Sequence, residues 1–258
     1  MGLDITVSGI PKELRDNDTI LADALGRAKV VLPVFADGES LKDECLIPHS
    51  IHPYSSMRQD SLYTVESLVC SLPMYQNRVK AVGHIHAIAD SDGTFRRLSM
   101  LIRHQNELIP TLGIAAVDTE TSVIQMFPLT RYTGDFGLKV AGKRIATDLK
   151  GDALLAFYPY ESYTRISAYD ILSGAYDPSV LRGKFVLIGG TALGLDTWHT
   201  ISNQTMIPGV YIHASVIENL IHGDMRVQPS FYRDWETDRK STRLNSSHEI
   251  PSRMPSSA

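Results

Sequence analysis

LRGKFVLIGGTALGLDTWHTISNQTMIPGVYIHASVIENLIHG, residues 181–223, sets how the rest of the chain is read. It opens with Lys184-Phe-Val-Leu-Ile188, a short apolar run that stops at Gly189-Gly190. A run of that length bounded by turn residues predicts a strand buried on both faces. A polar, glycine-containing loop follows. Pro208 then opens a helix in which Val210, Ala214, Ile217 and Ile221 recur at helical spacing and predict one buried stripe. Proline suits the first turn, where its missing N–H has no partner to lose, and Gly223 suits the left-handed position after the last turn. The unit is strand, long polar loop, helix.

These motifs resemble the second type of CHASE sensory domain, the extracytoplasmic module of bacterial receptors. The matching residues are Gly183-Lys184, Val186-Leu-Ile-Gly189, Thr191-Ala192, Gly194-Leu195 and Asp196. The second half of the pattern matches at Pro208-Gly209-Val210, Ile212-His213-Ala214 and Glu218-Asn219-Leu220 before Gly223. Tyr211, Ser215 and Ile201 stand where the family usually has Glu, Asn and Pro. A second anchor lies upstream, where Gly83, Asp90, Asp92-Gly93 and Arg96-Arg97 match the family's glycine, acidic turn and arginine. The resemblance covers roughly residues 16–228. The structural positions it implies are Gly189, Gly190, Gly194, Pro208, Gly209, Asp92 and Gly93.

Composition agrees with a globular domain. The chain has 258 residues, 43% hydrophobic and 21% charged, with a net charge of −4. The slightly acidic balance gives no basic surface for nucleic acid. No run approaches the roughly 18 apolar residues of a membrane-spanning helix, and the first residues lack the apolar core of a signal peptide. Cys45 and Cys70 could pair in an oxidising compartment, but unpaired, partly buried thiols are the expectation.

Along the chain, Asp16-Asn-Asp-Thr19 before Ile20–Leu25 predicts an N-capped helix, and Lys29–Phe35 a strand in which Pro33 implies an edge or an early end. This pattern sits in the middle of the CHASE-type domain rather than at its start. The chain is therefore expected to lack the family's first strand and helix, leaving an unpaired sheet edge. Residues 36–76 read as irregular, with a helix at Ser61–Cys70. Arg78–Ala89 and Phe95–Gln105 read as strands joined by the turn Asp90-Ser-Asp-Gly93, with Leu98, Met100 and Ile102 on one buried side. Thr111–Val117 and Ile166–Gly174 read as helices, and Lys143–Asp148 and Ala153–Tyr158 as strands. Residues 230–258 are rich in serine and charge, resemble translated adapter sequence, and are expected to be a disordered, non-native tail. A native continuation would instead present a membrane-spanning run after the aromatic pair Phe231-Tyr232.

The chemistry is sparse. Gly189-Gly190-Thr-Ala-Leu-Gly194 fits neither nucleotide-binding spacing. His84 and His86 share a strand face but have no third ligand at diagnostic spacing, and His49 and His52 flank a proline-broken loop. Asp92 with Arg96 or Arg97 reads as a turn-stabilising pair. Asp196, Trp198 and His199, in the loop at the carboxyl end of the strand, are the candidate ligand contacts, because open α/β sheets bind solutes at that edge. No nucleophile elbow or zinc motif is present.

The expected fold is α/β, a layered mixed sheet flanked by helices, forming a single sensor domain over residues 1–229. The resemblance implies a non-enzymatic sensory domain outside the cytoplasmic membrane, without cofactor or metal. It would sense an unidentified small molecule or protein, act as a homodimer, and be tethered by membrane helices outside this chain. Its output would be a nucleotide cyclase, a diguanylate cyclase or a kinase. The alternative is a small-molecule-acting α/β enzyme using the Asp196–His199 loop.

Overall fold

A computed structural model describes residues 2–3, 15–37, 45–48, 50–52, 61–118, 123–129, 136–192, 198–203 and 205–225. All of them belong to the compact unit Met1–Val227. His49, Gly194, Asp196 and the tail 230–258 lie outside the described residues.

The first part of the chain forms β1 (Gly2–Leu3), α1 (Arg15–Arg27), β2 (Val31–Asp37), β3 (Ser50–His52), β4 (Thr64–Val65), β5 (Ser67–Val69), α2 (Pro73–Gln76) and β6 (Ala81–His84). Next come β7 (Thr94–Phe95), β8 (Arg97–Ser99), β9 (Leu101–His104), β10 (Glu107–Pro110) and α3 (Leu112–Val117). The last part holds β11 (Val123–Pro128), β12 (Phe136–Val140), β13 (Lys143–Ala146), β14 (Asp152–Leu154) and α4 (Ala168–Ser173). It ends with β15 (Leu187–Ile188), β16 (Trp198–Ile201), β17 (Met206–Pro208) and α5 (Gly209–His222). Among the described residues these make an α/β domain built from several small mixed sheets and five α-helices.

The principal sheet joins β15, β1, β2 and β5, with β6 also pairing β2. β1 lies parallel between β15 and β2, through Gly2 opposite both Leu187 and Val31. The strand slot expected to stand empty is therefore filled at its start by Gly2–Leu3. Pro33 sits inside β2 rather than at its end. The Val34 carbonyl accepts from the Ile85 N–H at 3.1 Å, so Val34 faces β6 and the Pro33 nitrogen faces the other edge. There β1 reaches only Val31, so proline interrupts no ladder bond.

Three layers stack on this sheet with glycine at each contact. A Cβ added at Gly83 of β6 would stand 2.5 Å from the Leu112 Cα, and one at Gly113 of α3 would stand 2.8 Å from the Val216 Cβ of α5. Strand, short helix and long helix thus approach almost backbone to backbone. The helix α5 runs through the centre. Val210, Ala214 and Ile217 are buried as the spacing predicts, but Ile221 is 44% exposed, while Ile212, His213, Ser215, Val216 and Asn219 are buried as well. A single stripe was expected; the helix is instead enclosed on most sides. Asn219, fully buried, accepts from the Ala156 N–H at 2.8 Å and donates to the Ala156 carbonyl at 2.7 Å. It pairs with that backbone as a neighbouring strand would. Pro208 is the N-cap rather than the first helical residue, and Gly223 closes the helix at φ 72°.

Other expectations need correction. β15 is two residues long and half-buried at a sheet edge, with Phe185 47% exposed, not a strand buried on both faces. Ser61–Cys70 is not helical: β-branched Thr64, Val65 and Val69 take the strands β4 and β5. The expected strand Phe95–Gln105 breaks into β7, β8 and β9, each in a different sheet, and Leu98 to Ile102 are buried on both faces. The loop after Gly190 contains the hairpin β16–β17. Cys45 and Cys70, expected as free thiols, form a disulfide with Cα atoms 5.8 Å apart. The expected helices at Thr111–Val117 and Ile166–Gly174 are α3 and α4, the latter capped by Ser167 and stopped by Gly174 at φ 72°.

Candidate functional site

Beyond β15 the chain leaves the sheet through Gly189-Gly190-Thr191-Ala192, and these residues form one wall of a cleft of about 560 Å³. A second wall is α5, through Val210, Tyr211, Ala214, Ile217 and Glu218. The segment Tyr163–Ala168, with Phe185 and Leu187, makes the third. The volume is within the usual range for a small-molecule site, about 300–1,000 Å³.

Tyr211 is the centre of an aromatic cluster. Its ring meets Tyr160 edge-on at 5.2 Å and Tyr163 at 5.4 Å. Arg165 lies over the Tyr160 ring at 4.5 Å and donates to the Tyr160 hydroxyl. This combination of cation–π contact and hydrogen bond holds the guanidinium at the cleft without neutralising it. Among the described residues no carboxylate forms an ion pair with Arg165. Burial raises the pKa of both Tyr163 and Tyr211, and for Tyr211 the Arg165 charge pulls the other way. The Tyr163 hydroxyl is buried against the Ser215 side chain, which opposes the rise in its pKa, and the Ser215 hydroxyl donates to the Tyr211 carbonyl at 2.9 Å. On α5, Glu218 pairs with His222 at 3.2 Å, one turn on. The cleft therefore carries a positive group, a negative group and an aromatic floor.

The structure separates the expected contacts from this cleft. Trp198 and His199 lie on β16, opposite Pro208 and Ile207 of β17, and neither lines it. The His199 ring packs edge-on against Phe95 at 4.5 Å, and the Trp198 indole nitrogen is buried without a partner. His199 belongs instead to a group of histidines around α5. His213 is buried and held near a pKa of about 4, first by desolvation and then by the His199 charge. His84, completely buried on β6, is held well below 6.5 by desolvation, then by His213 and His86; the Ser99 and His86 backbone opposes this weakly. Neither ring nitrogen of His84, nor Nδ1 of His213, has a hydrogen bond of ordinary geometry. Among the described residues no cluster of His, Cys, Asp or Glu is arranged to hold a metal ion.

At the upstream motif, Gly93 adopts φ 76° and the Asp92 carboxylate accepts from the Thr94 N–H at 3.0 Å. Arg96 reaches Asp92 at 2.6 Å and Asp90 at 2.9 Å. These bonds hold the Asp92 carboxyl far below the usual carboxylate range, the Arg96 bond first. Positive φ occurs at Gly93, Gly151 and Gly174 but not at Gly189, so Gly189 serves the cleft wall without a left-handed turn.

Tyr160, Tyr163, Arg165, Tyr211 and Glu218 are the residues the sequence reading missed. Two signals pointed to them: the run Tyr158-Pro-Tyr-Glu-Ser-Tyr-Thr-Arg165, dense in tyrosine, and Tyr211 standing where the resemblance calls for Glu.

A family model described as the CHASE2 domain matches residues 1–242, and the chain belongs to that family, the extracellular sensory domains of signalling receptors. Comparison with curated proteins and with solved structures gave no significant match. Among the described residues no helix is long and apolar enough to cross a membrane.

Proposed function

We propose that this chain is the ligand-sensing input domain of a transmembrane receptor, and that the signal binds in the cleft between Gly189–Ala192, Tyr163–Ala168 and α5. The cleft carries this reading: the residues that match the family pattern, Gly189, Thr191, Val210 and Ala214, line it. The receptor works as a homodimer tethered by membrane helices, with a nucleotide cyclase, diguanylate cyclase or protein kinase as its output. Binding shifts the receptor between two arrangements by the difference in affinity for each. The alternative, an enzyme using the Asp196–His199 loop, has less support, because the His199 ring is engaged edge-on with Phe95.

The test is a thermal-shift screen of the chain against small metabolites, repeated on Ala214→Trp and Ala168→Trp. Both variants fill the cleft, and Ala168 is exposed, so the second leaves the core untouched. Hits should lose their stabilising effect in both. Hits that bind the variants as well as the parent would refute the cleft as the sensory site.

A further inference from the structure

The chemistry of the cleft narrows what it can hold. Arg165 supplies a guanidinium positioned by Tyr160, and Glu218 supplies a carboxylate from α5. Tyr163 and Tyr211 line the same cleft, in edge contact with each other at 5.4 Å. Tyr163 is half-buried, with its hydroxyl set against the Ser215 side chain of α5. Ile166, Phe185 and Ile217 add apolar lining, and Thr164, Ser167 and Thr191 add hydroxyl groups. A simple anion would meet Arg165 but be repelled by Glu218, and a simple cation would meet Glu218 but be repelled by Arg165. A neutral apolar solute would cover the Arg165 guanidinium without offering it a counter-charge.

We propose that the cleft binds a zwitterionic small molecule of the amino-acid class, with its carboxylate on Arg165, its ammonium on Glu218 and its side chain against the tyrosine and Ile217 wall. The proposal rests on the cleft being the sensory site and specifies the ligand that site accepts. The volume of about 560 Å³ leaves room for a large apolar or aromatic side chain beyond the charged groups. Glu218 already pairs with His222, so an incoming ammonium shares a carboxylate that is held in place.

The experiment is isothermal titration calorimetry of the chain with each of the twenty standard amino acids. The strongest aromatic binder is then compared with analogues lacking one charge; for L-phenylalanine these are 3-phenylpropionate and phenethylamine. Each analogue should bind about ten-fold or more weakly, the usual effect of losing a hydrogen bond to a charged group. Arg165→Ala should abolish the preference for phenylalanine over phenethylamine. Glu218→Gln should abolish its preference over 3-phenylpropionate. Neither residue is in the core, and circular dichroism checks that each variant keeps the parent fold. Silence across all twenty amino acids overturns the proposal, and so do analogues that bind as tightly as the parent compound. The Ala214→Trp and Ala168→Trp variants separate the two ways of failing. If screen hits depend on the cleft but none is zwitterionic, the ligand class is wrong and the site stands. If no hit depends on the cleft, both fall.

Discussion

Lowering the pH should destabilise this domain through its buried histidines, with a profile set by their surroundings. His213 is held near a pKa of about 4 and His84 well below 6.5, in both cases chiefly by burial. The charges acting on His84 come from His213 and His86 and the charge acting on His213 from His199, so no carboxylate relieves the penalty. Both are neutral when folded, while each takes a proton in the unfolded chain below about 6.5. The unfolded state therefore binds more protons, and stability falls as pH drops below 6.5. At about 1.4 kcal/mol per pH unit, going from pH 6.5 to pH 5 costs about 2 kcal/mol for His213, and His84 adds a loss of the same sign. For His213 the loss levels off below about 4, where the folded state protonates too. Asp152 opposes the trend, since burial raises its folded pKa and acid favours its native form. Urea unfolding from pH 5 to 8 measures the sum. With a denaturant slope of about 2–3 kcal/mol/M, the His213 contribution alone should lower the midpoint by about 0.7–1 M. His213→Gln should weaken that dependence and His84→Gln with His213→Gln should weaken it further, leaving the part due to His86, whose pKa burial also lowers. A flat profile, or an unchanged slope in the double variant, would refute the reasoning.

Cys45→Ser should cost about 3–4 kcal/mol, because the bridge closes a loop with a sequence separation of 25; matching urea midpoints for oxidised and reduced protein would refute this. Gly113→Leu should prevent the packing of α3 on α5, since even a Cβ there stands 2.8 Å from Val216; retained near-UV dichroism would count against that contact. Asn219→Leu should cost about 1–3 kcal/mol by leaving both polar groups of Ala156 unpaired, read as a lower thermal midpoint.

The class of fold was legible because its signals are local. Ser167 and Gly174 bound α4, Gly223 ends α5, and the turn at Asp90–Gly93 carries its own hydrogen bonds. What failed was decided by distant partners. The burial of α5 on most sides cannot be read from a period, because α3 and the backbone at Ala156 arrive from far along the chain. Short strands such as β7, β8 and β9 are defined by three different sheets rather than by their own alternation. The cleft was half legible: the loop after β15 pointed to the right edge of the sheet, but Arg165 and Tyr163 reach it only through the tertiary fold.

The glycines at the β6–α3 and α3–α5 contacts bear on how α5 can respond to an occupant. Where side chains separate two elements, a small displacement is absorbed as rotamers change. At Gly83 the backbone of β6 abuts that of α3, and at Gly113 only the short, branched Val216 side chain lies between α3 and α5. The α5 face bearing Tyr211, Ala214 and Glu218 lines the cleft, while Val216 on the same helix touches Gly113. Any tilt of α5 toward an occupant must be followed by α3 and by β6 beneath it, as in a linkage with no backlash.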